Sequence, residues 1–92
     1  MESIQKMVAD YYDIRLGDMT SKRRPQSIAF PRQMAMYLCR DMTPHSLPEI
    51  GCAFGRNHAT VLHAYRLIER RCTEDPALRQ TVATLRQRLG RH

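Results

Sequence analysis

The sequence predicts an all-α domain, a small multi-helix bundle containing a helix-turn-helix with a basic loop before it. Three observations carry this. Apolar residues recur at helical spacing along most of the chain, helix-start signals stand at Ser46, Asn57 and Asp75, and no stretch alternates apolar and polar residues as a half-buried strand does. With 92 residues, 1–92 is read as a single domain, large enough for a core of three to six helices and too small for a catalytic domain with a second lobe.

Ile4, Met7, Val8 and Tyr11 put one apolar stripe on residues 3 to 12, the first predicted helix. Residues 13 to 30 lose that periodicity and carry Gly17, Thr20, Ser21, Pro25 and the run Lys22-Arg23-Arg24. They read as a basic loop with room for one helical turn near Leu16 to Met19. Pro31 is read at a first-turn position, where its missing N–H costs little. It opens a helix to about Met42 with Met34, Ala35, Leu38 and Met42 on the buried side.

Residues 46 to 66 read as two short helices around a tight turn. Ser46 with Glu49 three residues on has the spacing of a capping box, and Pro48 sits in the first turn. Gly55 supplies the bend. Asn57 caps a second helix to about Cys72, with Val61, Tyr65 and Ile68 on one face and Arg66, Arg70 and Arg71 on the exposed flank. Ala59 and Thr60 leave the outer side of its first turn uncrowded, an arrangement suited to reading DNA bases. Asp75 and Pro76 start a last helix, in which Leu78, Val82, Leu85 and Leu89 repeat at helical spacing and Gly90 marks the end.

Composition narrows the function classes. The formal charge is +6, and 13 of the 15 basic residues are Arg, the side chain suited to bidentate phosphate and guanine contacts. A polyanionic partner is the natural inference; a merely solvated basic surface is the plainer alternative. Cys39, Cys52 and Cys72 are odd in number and form no C-x-x-C pair, so neither a disulfide framework nor a zinc knuckle is expected. Each falls in a predicted helix as a small, mostly buried residue, which fits a reducing cytoplasm. No apolar run reaches the length of a membrane span or a signal-peptide core, and a soluble protein is expected.

Catalytic chemistry finds no support. His58 and His63 lie five apart without an H-E-x-x-H pattern, so no metal site is expected. The acids are scattered, with no pair spaced for acid and base roles. Gly51 to Gly55 reads as a turn element without the Lys that a phosphate-binding loop requires. The chain is not expected to be an enzyme.

Four blocks stand in order: Ser21-Lys22-Arg23-Arg24, then Pro31-Arg32-Gln33-Met34-Ala35-Met36-Tyr37-Leu38, then SLPEIG at 46–51 and FGRNHATVLHA at 54–64. Over about Ile4 to Arg71 they resemble the C-terminal DNA-binding domain of the DnaA family of bacterial chromosomal replication initiators, and the last helix is also similar. The resemblance implies a domain that binds short, non-palindromic boxes of double-stranded DNA at the replication origin as a monomeric module. The second helix of the motif would enter the major groove, with Asn57, His58, Ala59 and Thr60 reading bases. Pro48 would pack against a base methyl, and Arg24 would reach into the minor groove. Lys22, Arg23, Arg32, Gln33, Arg40, Ser46, Arg56 and His63 would contact phosphates.

The pattern departs from the family at two positions. The family usually has Asp-His-Thr-Thr where this chain has Asn57, His58, Ala59 and Thr60. Asn both accepts and donates, so relaxed specificity is expected at that base, with adenine an added partner; Ala59 keeps a methyl for thymine but no hydroxyl.

The resemblance also implies a cytoplasmic, nucleoid-associated location and no cofactor in this chain, ATP being expected only for an attached initiator ATPase domain. The residues read equally as part of an initiator or as a free-standing relative. Further partners in view are other initiator molecules or regulatory proteins. The alternative reading is a non-catalytic interaction module that regulates initiation through protein or acidic-lipid contacts. For lipid the support is slight, because the helix at 3 to 12 sets only Lys6 against Asp10.

Overall fold

A computed structural model describes residues 1–23 and 25–90, and among these it contains helices and no strand. The order is α1 (Glu2–Tyr12), a 3₁₀ turn (Leu16–Met19), α2 (Gln26–Met42), α3 (Leu47–Phe54), α4 (His58–Glu74) and α5 (Pro76–Leu89). The all-α expectation holds, as does the helical turn at Leu16–Met19.

Helix α2 is the centre of the bundle. Every residue from Met34 to Cys39 is buried, because α1 and α4 pack most broadly on it and leave no solvent face along this stretch. The helix begins earlier than the sequence predicts. Pro25, not the residue before Pro31, is its N-cap, and the Pro25 carbonyl accepts from the N–H groups of Ile28 (2.9 Å) and Ala29 (2.8 Å). Ile28, at 6% exposure, already anchors the first turn in the core. Pro31 is therefore an internal residue whose missing N–H forfeits one bond of the ladder.

Helix α1 buries Ile4, Gln5, Val8 and Ala9 rather than the full predicted stripe. Tyr11 is 38% exposed, its ring edge-on to Tyr12 and under the Arg88 guanidinium. Gln5 is buried because its Nε2 donates to the Ala53 carbonyl at 3.1 Å, fastening α1 to α3. Asp13 ends the helix in the left-handed region at φ 57°.

The last helix follows its sequence pattern closely. Asp75 Oδ1 accepts from the N–H groups of Ala77 and Leu78, and Leu78, Val82, Leu85 and Leu89 are all buried. In α4, Val61, Ala64 and Ile68 enter the core, while Tyr65 is half-buried and stacks on Tyr37 at 5.1 Å. Of the cysteines, Cys52 differs from expectation. Cys39 is buried, and burial pushes its thiol pKa up to about 12; Cys72 is half-buried; Cys52 is exposed. In α3, Ile50, Gly51 and Phe54 face the core, and Cys52 stands two residues from Ile50 on the other side. No described helix is long and apolar enough to cross a membrane.

Candidate nucleic-acid interface

Helices α3 and α4 form the helix-turn-helix, and both starts are capped as the sequence predicts. Ser46 Oγ accepts from the Glu49 N–H (3.2 Å) and Glu49 Oε1 accepts from the Ser46 N–H (2.9 Å), a closed capping box. At α4, Asn57 Oδ1 accepts from both the N–H (3.0 Å) and the hydroxyl (3.3 Å) of Thr60. Such a cap is worth about 1 kcal/mol.

The turn between them depends on two glycines. Gly55 ends α3 at φ 66°, a left-handed conformation that side chains disfavour. Gly51 lies inside α3, not in the turn, which corrects the reading of Gly51 to Gly55 as one turn element. It is buried against the backbone entering α4. A Cβ there would sit 2.5 Å from the Arg56 carbonyl oxygen and 3.2 Å from the Asn57 carbonyl carbon. The Arg56 N–H also donates to the Gly51 carbonyl at 2.8 Å, so the missing side chain lets the two helices meet. Sequence reading missed this role. The available signal was a glycine inside a well-capped short helix, where it costs stability unless backbone approaches closely.

Pro48, Asn57, His58, Ala59 and Thr60 are all exposed, on the first turns of α3 and α4 and on the α4 cap. Asn57 Oδ1 has both lone pairs engaged by Thr60, which leaves its amide N–H groups as the free polar function. The two-sided pairing with adenine expected from sequence would have to draw Oδ1 away from this cap. Thr60 still offers its methyl and an accepting oxygen. His58 is exposed, as is His63 one and a half turns on.

The basic residues divide. Lys22, Arg23, Arg40 and Ser46 are exposed, and Gln33 is half-buried with its Oε1 unpartnered. Arg32, expected at a phosphate, is tied to the basic loop. It is only 6% exposed, and its guanidinium donates to the carbonyls of Asp18 (3.1 Å), Ser21 (2.6 Å) and Arg23 (2.8 Å). Three of its five N–H groups hold the basic loop. The sequence hint was its helical spacing from buried Ile28 and Ala35. Arg56 is half-buried and donates to the carbonyls of Phe54 (2.8 Å) and Ser21 (2.6 Å). Burial first, and then the Arg56 charge, lower the Arg32 pKa, and Asp18 acts the other way. Lys22, Ala29, Arg32, Gly55 and Arg56 line an open cleft of about 470 Å³ between loop and turn. The predicted minor-groove residue, Arg24, lies outside the described residues.

This geometry, two capped helices meeting at Gly51 and Gly55 beside a pinned basic loop, has a counterpart among known sequences. The family model described as bacterial dnaA protein helix-turn-helix matches residues 1–68. The chain belongs to this DnaA family. Chromosomal replication initiator protein DnaA from Bordetella pertussis and from Bordetella petrii are each 53% identical to it over 90 residues, covering 97% of this chain. The match takes up 19% of each relative, so the chain spans about a fifth of their length. Among solved structures, a crystal structure of a DNA replication initiation factor superimposes with a TM-score of 0.85 at 35% identity, covering 95% of this chain and 27% of that one. The DnaA match takes in the basic loop, α2, α3 and the first turns of α4, where the described candidate contact residues stand.

Proposed function

We propose that this domain binds double-stranded DNA sequence-specifically at replication-origin boxes, in the initiation or regulation of chromosomal replication. The observation that carries the reading is the exposed set His58, Ala59 and Thr60 at the start of a capped helix, held beside an arginine-rich loop, in a chain of the DnaA family.

The first turn of α4 enters the major groove, where His58 and Thr60 offer hydrogen bonds to base edges and Ala59 offers a methyl contact to thymine. Asn57 donates through its amide N–H groups to an acceptor such as guanine O6 or thymine O4. Pro48 packs on a neighbouring base methyl. Lys22, Arg23, Gln33, Arg40, Ser46, His63 and the open side of Arg56 hold phosphates, and Arg24 reads the minor groove. The domain acts as a monomer, without a cofactor and without catalysis, in the cytoplasm on the nucleoid.

Titration of the 92-residue chain with a duplex bearing a family box and with a scrambled duplex, at physiological salt, tests this. The box should bind roughly a thousandfold more tightly. Equal affinity would leave only non-specific charge attraction and would sink the reading.

A further inference from the structure

We infer that Arg32 and Arg56 are positioning residues that lock the basic loop to the turn of the helix-turn-helix, so that contacts in the two grooves are made by one rigid unit. This rests on the DNA-binding reading above.

The lock meets at one atom. The Ser21 carbonyl oxygen accepts from Arg32 Nη1 and from Arg56 Nη2, each at 2.6 Å. The donors come from different parts of the chain, one inside α2 and the other in the link between α3 and α4. Arg32 also holds the Asp18 and Arg23 carbonyls, so one guanidinium fixes the loop at three points across residues 18–23. Arg56 Nη1 holds the Phe54 carbonyl at the last residue of α3, and Asn57, next along the chain, caps α4. The Ser21 oxygen thus relates the loop directly to the entry of the recognition helix.

Chemistry makes the arrangement specific to arginine. A buried guanidinium is costly unless its N–H groups are satisfied, and here loop carbonyls satisfy Arg32. Burial of Arg32 and the loop conformation are therefore coupled. A planar fork holds two carbonyls in fixed directions, whereas a Lys ammonium carries the same charge as a compact point on a flexible stem. Ordering the loop in the free protein also removes an entropy cost from the binding step. Arg24 follows immediately on Arg23, whose carbonyl is one of those held.

The test uses two duplexes that share the box and differ only in A·T against G·C base pairs at the flanking minor groove. The wild-type chain should favour the A·T duplex by about tenfold, and Arg24→Ala should erase that preference. Arg56→Lys, which keeps the charge, should cut the preference below about threefold. The Arg24→Ala/Arg56→Lys double variant should bind the A·T duplex within about twofold of Arg24→Ala alone, because the second change acts through the first. Multiplying effects, or a full A·T preference in Arg56→Lys, would overturn the inference. Arg32→Lys should behave alike; if it fails to fold, half-buried Arg56 carries the test, with the melting temperature of Arg56→Lys as the control. A wild type that prefers the box but not the A·T flank overturns this inference alone. A wild type with no box preference sinks the DNA-binding reading and this inference with it.

Discussion

The arginines of this domain are held in two different ways. Away from the turn between α3 and α4, Arg86 donates to Asp41 Oδ2 (2.7 Å) and to the Tyr37 hydroxyl (3.0 Å), Arg71 and Arg88 lie over the rings of Phe30 and Tyr11, and Arg79 holds the Cys72 carbonyl. Around the turn, Arg32 and Arg56 bond only backbone carbonyls, and Lys22, Arg23 and Arg40 are exposed. Among the described residues the ion pairs are Arg86–Asp41 and His45–Glu49, and neither involves these five. A carbonyl fixes a guanidinium without cancelling its charge; a carboxylate cancels it. Among the described residues none of these five has a carboxylate partner, whereas away from the turn the charge of Arg86 is cancelled by Asp41.

The comparison can be broken most severely at Gly51. Gly51→Ala puts a methyl 2.5 Å from the Arg56 carbonyl oxygen, which belongs to backbone and cannot swing aside. It should cost about 2 to 3 kcal/mol in denaturant unfolding, near the upper end for overpacking, and should weaken box binding beyond that of any single contact variant. Gly17 has open space around it, so Gly17→Ala should leave box binding unchanged. Equal behaviour of the two variants would contradict the close-approach role.

Next in size are the exposed readers. His58→Ala or Thr60→Ala should lose about 1 to 3 kcal/mol on the box and much less on random DNA. An equal loss on both would remove base reading from these residues. Asn57→Ala should cost about 1 kcal/mol of stability through the cap, whereas Asn57→Asp should keep the cap and change base preference at one position. Thermal melts paired with binding to single-position box variants separate these outcomes.

The smallest expected effect is a pH dependence. Hydrogen bonds from the Ser46 backbone and side chain, and then from His45, hold the Glu49 carboxyl below its ordinary value of 4.5. Because the folded-state value is depressed, the contribution is fully present above 4.5 and is lost as pH falls through the folded value. Melting of wild type and Glu49→Gln between neutral pH and pH about 3 should therefore converge at the acid end. A constant gap between them would show that the carboxylate adds nothing.

Local signals explain what the sequence made legible. The caps at Ser46, Asn57 and Asp75 act within three residues of chain, and Leu78, Val82, Leu85 and Leu89 form a simple stripe because α5 has one buried face. Contacts that join distant parts of the chain were not legible. Arg32 looks like any surface cation until carbonyls 9 to 14 residues away are folded around it, and Arg56 meets Ser21 across 35 residues. The start of α2 was misplaced because Pro31 imitates a first-turn proline, although Ile28 already packs in the core. Gly51 carries no side chain to form a pattern, and its meaning lies wholly in the backbone opposite it.

The central claim is that the uncompensated basic residues around the helix-turn-helix meet the DNA and the compensated ones do not. It is tested most directly by the slope of log affinity against log salt for Arg40→Ala, whose residue lies near the C-terminus of α2 just ahead of α3, and for Arg86→Ala, whose residue pairs with Asp41. Arg40→Ala should lower the slope by about one unit and Arg86→Ala should leave it unchanged. Equal slopes for the two variants, or a drop only for Arg86→Ala, would contradict the account.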